Sequence, residues 1–180
     1  MLLLFREKKY KPHKEIQNVN HTKKYKMKRT IILIAICLSG VITTKAETEV
    51  EKEVKQLILD NNAYTLKNLE GKPKEISENG SLEFWSSGGL LQSIQQNAKR
   101  EYDTFNLHPK HIKVIEINAT TAVALYYVEG NVQHKGSENN ANYLTRVMQV
   151  YVKEEGGWKI RAAHWSPLTG GKGTTETAVQ

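Results

Sequence analysis

The sequence predicts an α+β protein, with one amphipathic helix followed by an antiparallel sheet, carried on an exported domain of about 130 residues. Three observations predict it. An apolar stripe of helical period is confined to residues 47–69. Strict alternation of apolar and polar residues dominates the chain after Pro109. A short cationic and apolar leader begins at Met27.

The leader is set apart by charge. Residues 1–46 hold 11 Lys/Arg and 2 Glu, a net of +9, whereas residues 47–180 hold 15 Lys/Arg and 17 Asp/Glu, a net of −2. The near-neutral domain lacks the clustered cations that phosphate backbones require, which excludes nucleic acid as a partner. Met27-Lys28-Arg29 forms a cationic head, Ile31 to Leu38 an apolar run, and Ser39-Gly40 a break. Thr44-Lys45-Ala46 then places small residues at −3 and −1 before Glu47, completing the layout of a secretory signal. The apolar run is far shorter than the ~20 residues of a spanning helix. No membrane association is expected once the signal is removed. Cys37 follows Ile36, where a lipoprotein signal wants a small residue. Residues 1–26 are either a start read too early, with Met27 the true one, or a long cationic head. The expected organisation is an extension at 1–26, a signal peptide at 27–46, the domain at 47–169 and a Gly/Thr-rich flexible tail at 170–180. The expected location is periplasmic or extracellular. The single cysteine, Cys37, leaves with the signal, so the domain has no thiol for a disulfide, a metal or a nucleophile.

Within the domain, Val50, Val54, Leu57 and Ile58 fall on one helical stripe from Glu47 to Leu69. Thr48 with Glu51 three residues later reads as a capping box. The helix is expected to fade near Asn61-Asn62 or to run weakly on to Asn68. Glu70 to Gly80, with Gly71 and Pro73, reads as a loop. Leu82 to Trp85 is a short aromatic strand and Ser86 to Gly89 a turn. Leu90 to Asn106 has no decisive period, and His108-Pro109 closes it. Four strands are expected thereafter: Ile112–Ile117, Thr121–Glu129, Tyr143–Lys153 and Trp158–Trp165. Gly170 to Thr174 lacks the spacing of a phosphate-binding loop.

Strand parity selects the candidate site. Between Leu144 and Lys153, the set Leu144, Arg146, Met148, Val150 and Val152 is the more apolar and is expected to face the core. Arg146 would then be an inward guanidinium, either gripping an anionic or carbonyl-bearing ligand or paired in a salt bridge to Glu129 or Glu116. In the last strand Trp158, Ile160, Ala162, His164 and Ser166 share a face. This puts His164 and Ser166 at the end of a core-facing strand, where His164 is either an acid/base and ligand-binding group or a satisfied core histidine. Trp85 and Tyr127 are the candidate apolar walls, with the phase of Tyr127 against Tyr126 open. The opposite face, with Gln149, Tyr151, Arg161 and Trp165, is the candidate dimer surface. His108 and His111 lack a third ligand, so no metal is expected, and no cofactor motif is present.

Several segments resemble the nuclear transport factor 2-like superfamily, also called SnoaL-like. They are Phe84-Trp85-Ser86, His108 to Ile112, Tyr126 to Gly130, Leu144 to Val147, and Trp158 to Pro167 ending in His-x-Ser. The resemblance is closest to small exported bacterial members and covers residues 50–175. It implies a cone-shaped, cystatin-like fold in which an N-terminal helix packs on a curved antiparallel sheet around a pocket. It also implies homodimers formed through the outer sheet face. Enzymatic relatives such as ketosteroid isomerase, polyketide cyclases and scytalone dehydratase use Asp, Tyr or His in that pocket. Here no acidic residue is expected on a core-facing strand position, which speaks against the isomerase and cyclase reactions. Three functions are expected, in descending order. The first is a binding domain for a small, partly apolar molecule, with Arg146, Tyr127, Trp85, His164 and Ser166 as ligand contacts. The second is a dehydratase, isomerase or hydrolase using His164. The third is a homodimeric interaction domain with a filled core.

Overall fold

In the computed structural model, residues 46–173 are described; the proposed extension and signal segment (1–45) and the end of the tail (174–180) lie outside them. By internal contacts the chain divides into Met1–Ala46 and Glu47–Gln180, and the architecture below is that of the second unit.

Helix α1 spans Glu49–Asn68. Thr48 starts it with the expected box: its Oγ1 accepts from the Glu51 amide at 3.2 Å, and Glu51 Oε2 accepts from the Thr48 amide at 2.9 Å. Leu69 stops it in a left-handed conformation, φ 56°, with its amide bonded to the Thr65 carbonyl. Val54 and Ile58 are buried from this helix, and each such side chain contributes about 1.5–3 kcal/mol. Asn61 and Thr65 continue the same buried face, so the helix presents polar groups to the interior along its last two turns.

Six strands follow: β1 (Ser81–Phe84), β2 (Gln92–Ile94), β3 (Tyr102–Asn118), β4 (Thr121–His134), β5 (Asn140–Glu154) and β6 (Gly157–Pro167). They form one sheet in the order β2-β1-β6-β5-β4-β3, antiparallel except for the parallel pair β1 and β6. Strand β3 begins earlier than the sequence suggests and passes through Pro109 without stopping. It is an edge strand, so the missing amide of Pro109 faces no partner that needs it. Just beyond, His111 takes φ 54° and the register with β4 slips between Lys110 and Lys113, a bulge that bends the edge. Residues 170–173, placed in the tail by composition, lie with Leu168 along the start of β5. Leu168 and Lys172 donate to the carbonyls of Leu144 and Asn142 at 3.0 Å each.

The structure reverses both strand-parity expectations. In β5 the inward residues are Tyr143, Thr145, Val147, Gln149 and Tyr151, while Arg146 and Met148 face outward. The sheet is apolar on both sides, so a count of aliphatic residues chose the wrong one. In β6 the alternation itself changes partway. Ile160 pairs with Tyr151 and Ala162 with Val150, which leaves Arg161 as an extra residue. This bulge carries Trp158 and Ile160 inward before it and Ala163 and Trp165 inward after it. His164 is thereby turned to the outside. Accordingly Gln149, Tyr151 and Trp165 are not outer-face residues.

Candidate functional site

The concave side of the sheet and α1 line a partly open cavity of about 150 Å³. Its apolar wall comes from Ile58, Phe105, Leu107, Val128, Val132 and Trp165. Its polar wall comes from Asn61, Glu75, Glu83, Arg100, Gln149 and the tyrosines of β4 and β5.

Glu83 reaches the interior because β1 is inverted relative to its hydropathy. Ser81 and Glu83 are buried, while Leu82 and Phe84 are 45% and 46% exposed. Glu83 itself is only 4% exposed, and its Oε2 accepts from the indole of Trp85 at 3.0 Å. Burial pushes its carboxyl above the ordinary glutamate range, outweighing the Trp85 hydrogen bond. An acid buried without a cation favours its neutral form.

Deeper in the cone, Gln149 organises two phenols. Its Oε1 accepts from Tyr126 and from Tyr151, both at 2.7 Å. A third, Tyr143, shares a 3.1 Å hydrogen bond with Ser86. Burial raises all three hydroxyls above the usual phenol range, so they act as neutral donors. Elsewhere on the wall, Glu75 binds the Arg100 guanidinium with Oε1 and accepts from Asn61 Nδ2 at 3.4 Å with Oε2. Asn61 Oδ1 is buried and has no hydrogen-bond partner.

Trp85 lines the cavity and holds Glu83. The other four expected site residues meet one another on the opposite face of the sheet. Arg146 Nε donates to Ser166 Oγ at 2.8 Å, and Arg146 stands opposite Tyr127 in the sheet. His164 pairs across from Met148 and packs its ring against Phe84 at 5.9 Å. Arg146, Tyr127 and His164 are exposed, and Tyr126 takes the inward place expected for Tyr127. The expectation that Arg146 and His164 line the cavity is therefore corrected by the reversed phase of β5 and the bulge at Arg161. The acid missed in the sequence is Glu83, masked by its apolar neighbours Leu82 and Phe84. Among the described residues no three His, Cys, Asp or Glu side chains cluster as metal ligands.

A second, open groove lies between α1 and the β5–β6 turn, but its central charges are spent on each other. Glu53 takes Lys153 at 2.9 Å and the Trp158 indole at 2.7 Å.

No protein-family model matches the chain, and no curated protein sequence matches it. Among solved structures it is similar to a protein from Novosphingobium aromaticivorans provisionally described as an aromatic ring hydroxylase. That match has a TM-score of 0.52 at 15% identity, covering 72% of this chain and 96% of the other. It is also similar to a provisionally assigned Ca/calmodulin-dependent kinase II association domain from Exiguobacterium sibiricum (0.47, 16%, 68% and 96%). A third likeness is to an NTF2-like protein of unknown function from Prochlorococcus (0.45, 11%, 72% and 97%). At such identities the likeness concerns fold. The architecture is an α+β fold with one helix laid across a curved, unclosed six-stranded sheet.

Proposed function

We propose that this protein is an exported binding domain whose cone interior holds a small, partly apolar molecule by a polar end. The observation that carries this reading is the cavity itself. Glu83, its carboxyl pKa raised by burial, and the amide of Gln149, whose N–H groups the two tyrosines leave unclaimed, stand beside an aromatic and aliphatic wall. A filled core would have no such space, and exposed polar groups in it need a partner. Export rests on the leader alone. Mass spectrometry of the secreted or periplasmic protein is expected to find Glu47 at the N-terminus, and a product retaining Cys37 would refute it.

A second reading has an observation of its own. A buried carboxyl with a raised pKa, beside bound ligand, is equipped for proton transfer. If the domain is an enzyme, Glu83 is its acid/base, since His164 stands on the other side of the sheet. Trp85 and Trp165 both line the cavity, so their fluorescence reports on occupancy. Titration with small aromatic and alicyclic molecules is expected to quench or shift it saturably, and Glu83→Leu to weaken those carrying a polar group. Failure of every probe to bind would sink the pocket reading.

A further inference from the structure

Resting on the pocket reading, we propose that the cavity takes neutral, single-ring aromatic molecules bearing one hydroxyl or carboxamide and rejects the corresponding anions. Size sets the first limit. A dry engineered cavity of about 150 Å³ binds benzene, and the space here, about 150 Å³ and partly open to solvent, holds one substituted ring. The wall favours a ring. Tyr102 and Phe105 meet edge-on at 4.9 Å and Tyr126 and Trp165 at 6.4 Å, leaving aromatic faces and edges for one further ring.

Charge sets the second limit. The ionisable groups facing the cavity, besides its tyrosines, are Glu75, Glu83, Arg100 and His134. Arg100 supplies the one permanent positive charge among the described lining residues, and Glu75 closes on it. Glu83 has the Trp85 indole as its partner, with no cation against it. His134 packs its ring against Tyr102, centroids 4.8 Å apart and planes tilted by 46°. An anionic ligand would therefore lose its hydration without gaining an unspent permanent positive charge, and would stand among two carboxyl groups.

Hydrogen bonding sets the third. Gln149 keeps N–H donors that Tyr126 and Tyr151 do not use, and Asn61 Oδ1 is an acceptor without a partner. One donor and one acceptor suit a group that both accepts and donates while uncharged. Hydroxyl and carboxamide do this; carboxylate and phenolate cannot donate.

4-Nitrophenol tests the proposal directly, because it is a single ring that titrates near neutrality and its phenolate is coloured. The purified protein is expected to raise the apparent pKa of the bound probe by at least about one unit, a tenfold preference for the neutral form. A bound probe whose pKa is unchanged or lowered overturns the proposal. So does a cavity that binds toluene, followed by chemical-shift changes, and not nitrophenol. If toluene also fails to bind, the pocket reading falls and this inference with it, which separates the two failures. Glu75→Gln gives a second arm, since it leaves Arg100 uncompensated. In that variant the apparent pKa of the bound probe is expected to fall below its value in the unmodified protein, and no change would refute the role given to the ion pair. Should the variant not fold, the titration of the unmodified protein decides alone.

Discussion

Glu83 concentrates the tension between stability and function in one side chain. It is buried among apolar and phenolic groups, and burial raises its pKa in the fold. The folded state therefore holds a proton that the unfolded chain gives up at lower pH. Stability is greatest below the unfolded glutamate value and declines as pH rises from there through the raised folded value. Glu83→Gln keeps the shape and the acceptor for Trp85 but cannot ionise. Thermal melts across that interval are expected to show the variant gaining on the unmodified protein as pH increases. A difference that does not vary with pH would mean that Glu83 is not the buried acid described. None of this was readable from residues 81–85 alone, because hydropathy turns Leu82 and Phe84 inward and Glu83 out. The inversion is decided by the other strands, which supply a polar interior and an apolar exterior. The same tertiary context separates Tyr126 from Tyr127. Both suit a strand, and only the pairing of Tyr126 with Gln149 shows which is inside. Trp85, a candidate wall residue whose commoner use in a strand is core packing, lines the cavity.

At the scale of elements, the local rules succeed where an element is self-contained. The capping box at Thr48 and Glu51 appears as the sequence spells it. Thr48→Ala removes one half of that box, and chemical denaturation is expected to report a loss of about 1 kcal/mol. A change within ±0.2 kcal/mol would mean that tertiary contacts alone hold the first turn. Pattern reading fails at β6, where a single extra residue at Arg161 exchanges the faces after Ile160. Nothing in Lys159-Ile160-Arg161-Ala162-Ala163 announces a bulge; the insertion is defined only against its partner Val150-Tyr151. Arg161 marks the position by donating from Nη1 to the Gly80 carbonyl at 3.1 Å, tying the bulge to the turn before β1. The bulge thus does two jobs at once. It keeps Trp165 on the cavity wall and places His164 beside Phe84 outside. Gly130 plays a comparable part between β3 and β4. Its φ of 141° and the closeness of the Asn106 carbonyl leave no room for a Cβ, so the two long strands can cross tightly at the cone wall.

Across the whole molecule, the outer face of the sheet carries the apolar surface that a lone domain would hide. Strand registers align Leu82, Ala162, Val150, Val123 and Ile115 in one row across five strands. The next row runs Phe84, His164, Met148, Leu125 and Lys113. Leu82, Phe84, Met148, Leu125 and Ile115 are each at least 40% exposed. A third row, Ser166, Arg146, Tyr127 and Lys110, edges the patch with polar groups, and Lys110 is paired to Glu129 at 3.3 Å. Five strands span about 24 Å and three same-face rows about 20 Å, a footprint of about 480 Å² against the roughly 800 Å² of accessible surface per partner in a standard-size dimer. Helix α1 covers the other face, and a second copy offers the same curved surface for isologous contact. This face, not the one parity suggested, is the candidate dimer surface, and Arg146, His164 and Tyr127 lie on it. Size exclusion with light scattering at micromolar concentration is expected to show twice the protomer mass. Met148→Asp, which sets a charge in the middle of the patch on both copies, is expected to return it to the protomer mass while leaving toluene binding in the cavity intact. An unmodified protein that elutes as a clean monomer would reject the dimer. A Met148→Asp protein that stays dimeric would move the interface elsewhere.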